Sequence, residues 1–313
     1  MIPKLKKENL LGRSGSDFPV YLKWKKIKSS KEKTKYIICN ASEGDPQTKK
    51  DYYLLKKYLK DIINGIEIAI KELEVKTAYI YINKKYYDEF KEDLIKLTIN
   101  LPIELVRKPE GYLKGEETVI INIIEEKPAV PKIKPPYPTE QGLFEKPTLI
   151  HNVETFYCIS KIYKNEYKKE RFYYVNNKTF KLKDNSTVKE ILTNTKNFPK
   201  FDFFVQVGGI SGEILLEKEL NQPINGLGSI KIFNGKTNIL KLMKEYALFF
   251  VNENCDSCVP CREGMYRIKE ILENNLDRKA LNDIFLVMEK TSLCPLGKNI
   301  PIFFKSCLKK LLK

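Results

Sequence analysis

The chain has 313 residues, 42% of them hydrophobic, which is enough for two or three compact domains with ordinary buried cores and excludes a disordered or fibrous class. A net charge of +16, from 56 lysines and arginines against 40 acids, raises nucleic acid or an acidic membrane surface as partners. The lysines are spread along the whole chain rather than gathered in a stripe, and no helix-turn-helix or aromatic-basic RNA motif is present, so a solvated surface ranks first, an acidic partner subunit second and nucleic acid third.

Residues near 36 to 107 alternate strand and helix. Tyr36 to Cys39 reads as a short apolar strand, and Leu54 to Leu73 as a helix with Leu55, Tyr58, Ile62, Ile66 and Ile70 on one face. Thr77 to Ile82 is a strand, Tyr86 to Leu97 a helix and Ile103 to Val106 a strand. Such alternation predicts a parallel sheet covered by helices, with ligands where loops leave the carboxyl ends of the strands. Pro128 to Pro147 holds six prolines and is expected to wrap the first domain as an extended segment. From 168 to 236 the character changes. Phe172 to Val175, Phe180 to Leu182, Phe203 to Val207, Ile214 to Leu216 and Ile230 to Phe233 read as short strands, Val188 to Leu192 as a helical turn, and Gly208-Gly209 and Gly226-Leu227-Gly228 as tight turns. From Asn238 onward the pattern is helical, with stripes at Ile239, Leu242, Met243, Tyr246 and Phe250, at Met265, Ile268 and Leu272, and at Leu281, Ile284, Phe285 and Met288 behind an Asp277 cap. Pro301 suits the first turn of a fourth helix, and Lys309, Lys310 and Lys313 its C-terminal end.

The chemistry concentrates in the last seventy or so residues. Cys255, Cys258 and Cys261 recur at CxxCxxC spacing, and Cys294 follows in a Cys-Pro step. Three thiolates two residues apart wrap one face of a cube and a distant fourth closes it, which is the ligand logic of a [4Fe–4S] cluster. A structural four-cysteine zinc site is the rival, but zinc sites usually pair two CxxC knuckles. A four-helix bundle places the two cysteine loops at one end. Cys39, Cys158 and Cys307 read as small core residues. Arg262, Lys298 and nearby amides are available to offset cluster charge. The apolar runs, such as Ala247 to Val251, fall far short of the roughly 20 residues of a membrane span, and polar Met1 to Asn9 lacks the apolar stretch of a secretory signal, so a reducing cytoplasmic setting is expected. His151 is the single histidine and reads as a satisfied polar residue rather than a base, with no Ser-His-Asp triad or P-loop in view.

In order along the chain these segments resemble the flavin-binding subunit of NADH dehydrogenase (complex I) and its relatives in NAD-linked hydrogenases and formate dehydrogenases. Glu253 to Gly264 is similar to the family's ESCGxCxPCREG, and Ser292 to Gly297 to its second cysteine loop. Gly115-Glu116-Glu117-Thr118 matches GEET, Lys134 to Pro138 and Lys146-Pro147-Thr148 match the proline-rich wrap, and His151-Asn152-Val153-Glu154-Thr155 matches NNVET with histidine first. The family's GRGGAGFPTGxKW is matched at Gly12, Arg13, Gly15, Phe18, Pro19, Lys23 and Trp24, while Ser14, Asp17 and Tyr21 stand where it has glycine. Its NADEGEPG is matched at Asn40, Glu43 and Gly44, with Ser42 and Asp45 as softened versions, and Lys114 replaces a smaller residue before Gly115.

The resemblance implies an α/β fold: a Rossmann-like FMN/NADH-binding domain at 1–167, a small β-grasp (SLBB-like) domain at 168–236 and a helical [4Fe–4S] domain, a four-helix bundle, at 237–313. It implies FMN in the α/β domain, hydride from NAD(P)H, and single electrons leaving through the cluster. It assigns cofactor contacts to Gly12, Arg13, Gly15, Phe18, Lys23, Asn40, Glu43, Gly44, Gly115, Glu116, Glu117, Asn152 and Thr155, and cluster ligation to Cys255, Cys258, Cys261 and Cys294. Val119 to Ile124, a strand by local composition, is placed in a helix by the resemblance. The partners implied are a [2Fe–2S] thioredoxin-like subunit and a larger iron–sulfur or hydrogenase subunit, with the chain at the inner membrane only through its complex. The alternative is a degenerate relative that keeps the cluster as a relay or assembly subunit, motivated by Gln47 and by Ser14, Asp17 and Tyr21, whose Cβ atoms crowd the pocket and, at Asp17, add a charge unfavourable to NADH phosphates. A zinc-stabilised interaction module is the third reading.

Overall fold

The computed structural model describes residues 1–15, 17–224 and 226–312; Ser16, Asn225 and Lys313, the last of which was read into the final helix end, lie outside the described residues. The first sheet contains β1 (Tyr36–Ala41), β2 (Thr77–Asn83), β3 (Ile103–Lys108) and β4 (Thr148–Asn152), in the order β3-β2-β1-β4 and parallel throughout. β1, β2 and β4 are apolar runs buried on both faces, as parallel strands under helices must be. The covering helices are α1 (Ile2–Glu8), α2 (Val20–Ser29), α3 (Lys50–Leu73), α4 (Lys84–Thr98), α5 (Glu117–Ile124) and α6 (Val153–Tyr163). In register, Asn40 of β1 lies beside both Tyr81 of β2 and Asn152 of β4, so two asparagines share the carboxyl edge.

α5 carries a β-branched run that favours a strand. It is helical because the Glu116 carboxylate accepts the Thr118 and Val119 N–H groups at its start and because Val119, Ile120 and Ile121 are all at most 1% exposed. The proline-rich segment wraps this unit as expected: Asn122 donates to Val130 O, Lys132 N to Thr118 Oγ1, and Thr148 N to Pro138 O.

The second sheet holds β5 (Glu170–Val175), β6 (Lys178–Lys183), β7 (Phe203–Val207), β8 (Glu213–Leu216) and β9 (Ser229–Asn234) in the order β6-β5-β9-β7-β8, antiparallel except where β5 meets β9. α7 (Val188–Asn194) starts with a Thr187–Glu190 capping box and packs Val188, Ile191 and Leu192 into a core of its own with Tyr173 and Val205.

The C-terminal region is helical: α8 (Ile239–Glu253), α9 (Val259–Glu273), α10 (Arg278–Thr291) and α11 (Pro295–Lys310). Pro301 does not open the last helix. Pro295 takes that position directly after Cys294, and Pro301 lies inside α11. The helix continues past it because Ile300, Phe303 and Phe304 are fully buried, and the N–H that proline lacks is one bond among many. Lys309 and Lys310 do fall in its last turn. Cys39, Cys158 and Cys307 are buried to 2% exposure or less, as small core residues.

Candidate functional site

The carboxyl edge of the first sheet gathers most of the residues assigned to cofactor contact. Asn40 donates from Nδ2 to Gly115 O at 3.1 Å, and its Oδ1 accepts from Ser42 N at 3.1 Å. A Cβ on Gly115 would meet Ser42 Oγ at 2.7 Å, so glycine lets this turn close on the end of β1. Asn152 caps α6 through Glu154 N and donates to Asp51 Oδ2 at 2.7 Å and Asn40 O at 3.3 Å. Burial pushes the Asp51 carboxyl up, opposed by Lys50 and by Asn152, and its Oδ1 has no hydrogen-bond partner. Glu43 is engaged within the protein: its carboxylate accepts Asp51 N at 2.9 Å, Tyr52 N at 3.2 Å and Tyr86 OH at 2.8 Å, and so holds the start of α3. Glu117 pairs with Lys23 at 2.9 Å and Lys134 at 3.4 Å, and Glu116 with Lys134 at 2.8 Å. Burial raises Glu117, but the two lysines outweigh it and hold it below the usual carboxylate range.

The loop from Gly12 to Phe18 is tied down on two sides. Gly12 N donates to Phe18 O, Arg13 N donates to Thr155 Oγ1 at 3.2 Å, and Lys50 Nζ reaches Arg13 O at 3.2 Å. The Arg13 guanidinium is 1% exposed and grips Asp184, beyond β6, through two bonds of 2.6 Å, so its charge faces the second sheet. Gly15 has φ +107°, which side chains rarely adopt, and Phe18 stands 45% exposed beside it. Asp17 does not stand as an open charge toward a dinucleotide: its carboxylate accepts Gly226 N at 2.6 Å and ties the loop to the second sheet. Gln47, likewise, bridges to Gln206 and Tyr246. His151 is satisfied as expected. Trp24 donates to its Nε2 at 3.1 Å, and burial holds its pKa well below the usual value.

Sequence reasoning missed several residues at this edge. Lys108, the last residue of β3, is 4% exposed. Tyr112 N donates to Glu253, two residues before Cys255, at 2.6 Å. Lys50 and Glu154 form a buried pair at 2.6 Å. The signal available was position: Lys108 ends a strand of a parallel sheet, where ligands are met.

The four cysteines fall on two helix starts. Cys258 is the cap residue of α9 and Cys294 that of α11, each followed within two positions by proline, while Cys255 precedes α9 and Cys261 lies in its first turn. A Cβ on Gly297 would come within 3.2 Å of the Cys261 Cβ and 2.5 Å of Ser292 Oγ, so glycine is what lets the two cysteine segments close. Cys261 and Cys294 are 6% and 5% exposed, while Cys255 and Cys258 are half-buried. Burial first, then the neighbouring Cys258, Cys294 and Cys255, pushes the Cys261 thiol up to about 12; burial raises Cys294 also, against the amides of Gly297 and Leu296. All seven cysteines are free. Among the described residues no three histidine, cysteine or acidic groups close tightly enough around one point for a single metal ion. Ser292 Oγ, buried without a partner, faces this same loop. Arg262 is half-buried and ties the loop through Asp256 O at 3.1 Å, and Lys298 is exposed.

A parallel α/β sheet with a polar carboxyl edge, next to four thiols at two helix starts, defines the class of α/β ligand-binding proteins that carry a thiol-rich metal site. Residues 5–161 match the Nuo51 FMN-binding domain, and residues 241–312 the NADH-ubiquinone oxidoreductase-F iron-sulfur binding region. The chain belongs to this family. It is 31% identical to the F subunit of the NADH-quinone oxidoreductase of Buchnera aphidicola subsp. Acyrthosiphon pisum, over 86% of this chain and 72% of that one. It is 28% identical to the NAD-reducing hydrogenase HoxS subunit alpha of Cupriavidus necator, over 93% of this chain and 56% of that one. An NAD+-reducing [NiFe]-hydrogenase structure in the H2-reduced state shares the fold with a TM-score of 0.92 at 23% identity, over 99% of this chain and 62% of that one. The chain thus spans less than two thirds of the length of these two hydrogenase chains. Because the flavin and the cluster regions are both matched, the relay that has lost dinucleotide chemistry is not favoured. No helix among the described residues is long and apolar enough to cross a membrane.

Proposed function

We propose that this chain is the electron-entry subunit of an NAD(P)H-linked oxidoreductase, taking hydride onto FMN, or returning it to NAD(P)+, and exchanging single electrons with partner subunits through a [4Fe–4S] cluster on Cys255, Cys258, Cys261 and Cys294. FMN, when bound, supplies the conversion between a two-electron hydride and single electrons. The residues present suit both groups. Asn40, Asn152 and Gly115 form a carboxyl-edge cradle, and the buried Lys108 leaves polar capacity there for a ligand. Lys23, Lys134, Glu116 and Glu117 fix one another at its rim, and Gly15 and Phe18 form an exposed lip for a planar ring. Four thiols at two helix starts, brought close by Gly297, suit a metal cluster, whose ligation holds them as thiolates.

One observation carries the reading: a short segment joins the two sites. Gly115 to Thr118 belongs to the sheet edge, yet Leu113 and Val119 pack in the same core as Cys261 and Cys294, and Tyr112 is bonded to Glu253 beside the cysteine loop. Electrons arriving at one site therefore have the other as a near neighbour through packed protein. Residues 1–167, 168–236 and 237–313 are read as the flavin domain, a β-grasp (SLBB-like) domain and a four-helix cluster bundle. The partners that this reading calls for are a thioredoxin-like [2Fe–2S] subunit and a larger iron–sulfur or hydrogenase subunit, in a cytoplasmic complex peripheral to the inner membrane.

An anaerobic absorbance spectrum of the purified chain, before and after NADH or NADPH, tests the reading. Flavin bands that bleach on addition support it. Iron–sulfur absorption alone, unmoved by either nucleotide, overturns it.

A further inference from the structure

We propose that Lys108, backed by Lys114, is the cation that meets an anionic group of the flavin nucleotide at the sheet edge, an inference that rests on the flavin reading above. As the last residue of β3, Lys108 is delivered to the same edge as Ser42 to Gly44 and Asn152. Its side chain is 4% exposed, yet its ammonium makes no hydrogen bond or ion pair among the described residues. It points at a glycine: a Cβ on Gly44 would lie 2.9 Å from Lys108 Nζ. The acid whose charge acts on it, Glu253, already accepts Tyr112 N at 2.6 Å, and Lys114 adds a second positive charge. Lys114 is half-buried and lies across Gly111, its Cε 3.3 Å from where a Gly111 Cβ would sit.

Lys50 shows how the protein treats a buried ammonium that has no ligand to wait for: it is 1% exposed and bonded to Glu154 and Arg13 O. Lys108 is nearly as buried and has neither. Burial and Lys114 pull its pKa down to about 8, against the attraction of Glu253. A mostly buried cation without a paired acid is unfavourable, and a ligand that brings the counter-charge relieves that cost. FMN carries two anionic features, its phosphate and its ring once reduced, and the chemistry at Lys108 suits either.

The test uses the full, cluster-replete chain under anaerobic conditions. Wild type and Lys108→Met are titrated with FMN and with riboflavin, and the midpoint potential of each bound flavin is measured. A contact to the phosphate weakens FMN about tenfold or more in the variant and spares riboflavin. A contact to the ring weakens both and lowers the potential of both. Weakening of both with no change in potential means neutral packing and overturns the inference. Equal affinities and potentials in the two proteins also overturn it, and leave the flavin reading standing. A wild type that binds neither flavin overturns both. Lys108→Arg, which keeps the charge, is expected to restore most of the lost affinity or potential, and an Arg variant as weak as the Met variant overturns the inference. The flavin-free Met variant is expected to melt no lower than wild type, which separates lost binding from lost folding.

Discussion

Two buried lysines a few residues from the same sheet edge carry opposite energetics. Lys50 has a carboxylate at 2.6 Å, and that partner, Glu154, also accepts Phe172 N at 3.0 Å, so one acid links α3, α6 and the second sheet. Removing one half of a buried pair leaves the other charge uncompensated, which typically costs about 3–5 kcal/mol. Glu154→Ala is therefore expected to lower unfolding free energy by about that amount, read from the denaturant midpoint; a loss below about 1 kcal/mol would show that water reaches Lys50. Lys108 predicts the reverse. Its pKa is about 8 in the folded chain and 10.5 ordinarily, so between these values the unfolded chain binds more protons and stability rises with pH. Below that window the charged, unpaired ammonium destabilises the flavin-free fold. Lys108→Met is expected to be more stable than wild type at pH 7 by about 1–3 kcal/mol, with the gap closing as pH rises from 8 toward 10.5. A gap that does not change with pH would show that the ammonium is not the cause.

At the scale of elements, legibility followed how local the cause was. Strands β1 to β3 and helix α3 carry their own periodicity and were readable within a few residues of their ends. The run Val119 to Ile124 was not, because its helical state comes from the Glu116 cap and from burial on all sides, and only the GEET resemblance pointed to it. α1 and α2 escaped notice because lysines dominate them and few side chains of each are buried. β4 escaped because it is five residues long and follows the proline-rich wrap. The four cysteines stood out as one group from spacing alone, and the fold brings their two loops together at two helix starts. The commitments of Glu43 to α3, of Arg13 to Asp184 and of Asp17 to Gly226 were not, since they join residues far apart in the chain. Close helix packing is another nonlocal cause. A Cβ on Gly65 of α3 would sit 2.0 Å from Phe156 O of α6, and a backbone carbonyl in a helix cannot swing away. Gly65→Ala, normally favourable in a helix, is expected to cost about 2–3 kcal/mol here, seen as a lower melting temperature. An unchanged or higher melting temperature would mean that the two helices slide apart at little cost.

Across the whole molecule the flavin edge and the cysteine pocket are physically continuous but chemically separable. The pocket is built by α9 and α11, whose starts are brought together by Gly297, while the edge is built by the first sheet and its loops. The Tyr112–Val119 segment belongs to both, and Asp45 and Gln47 also reach from the edge loop to Ile210 and Tyr246 of the cysteine core. Replacing one ligand should therefore empty the pocket without dismantling the edge. Cys294→Ser, purified anaerobically, is expected to lose the broad iron–sulfur absorption and nearly all of about four iron atoms per chain, while Cys307→Ala, a fully buried core position, keeps them. The serine variant is still expected to bind FMN and to bleach with NADH, but to show no reduced-cluster signal by electron paramagnetic resonance. Loss of flavin together with iron would mean that the shared segment depends on the cluster for its fold, and that the two sites form one cooperative unit.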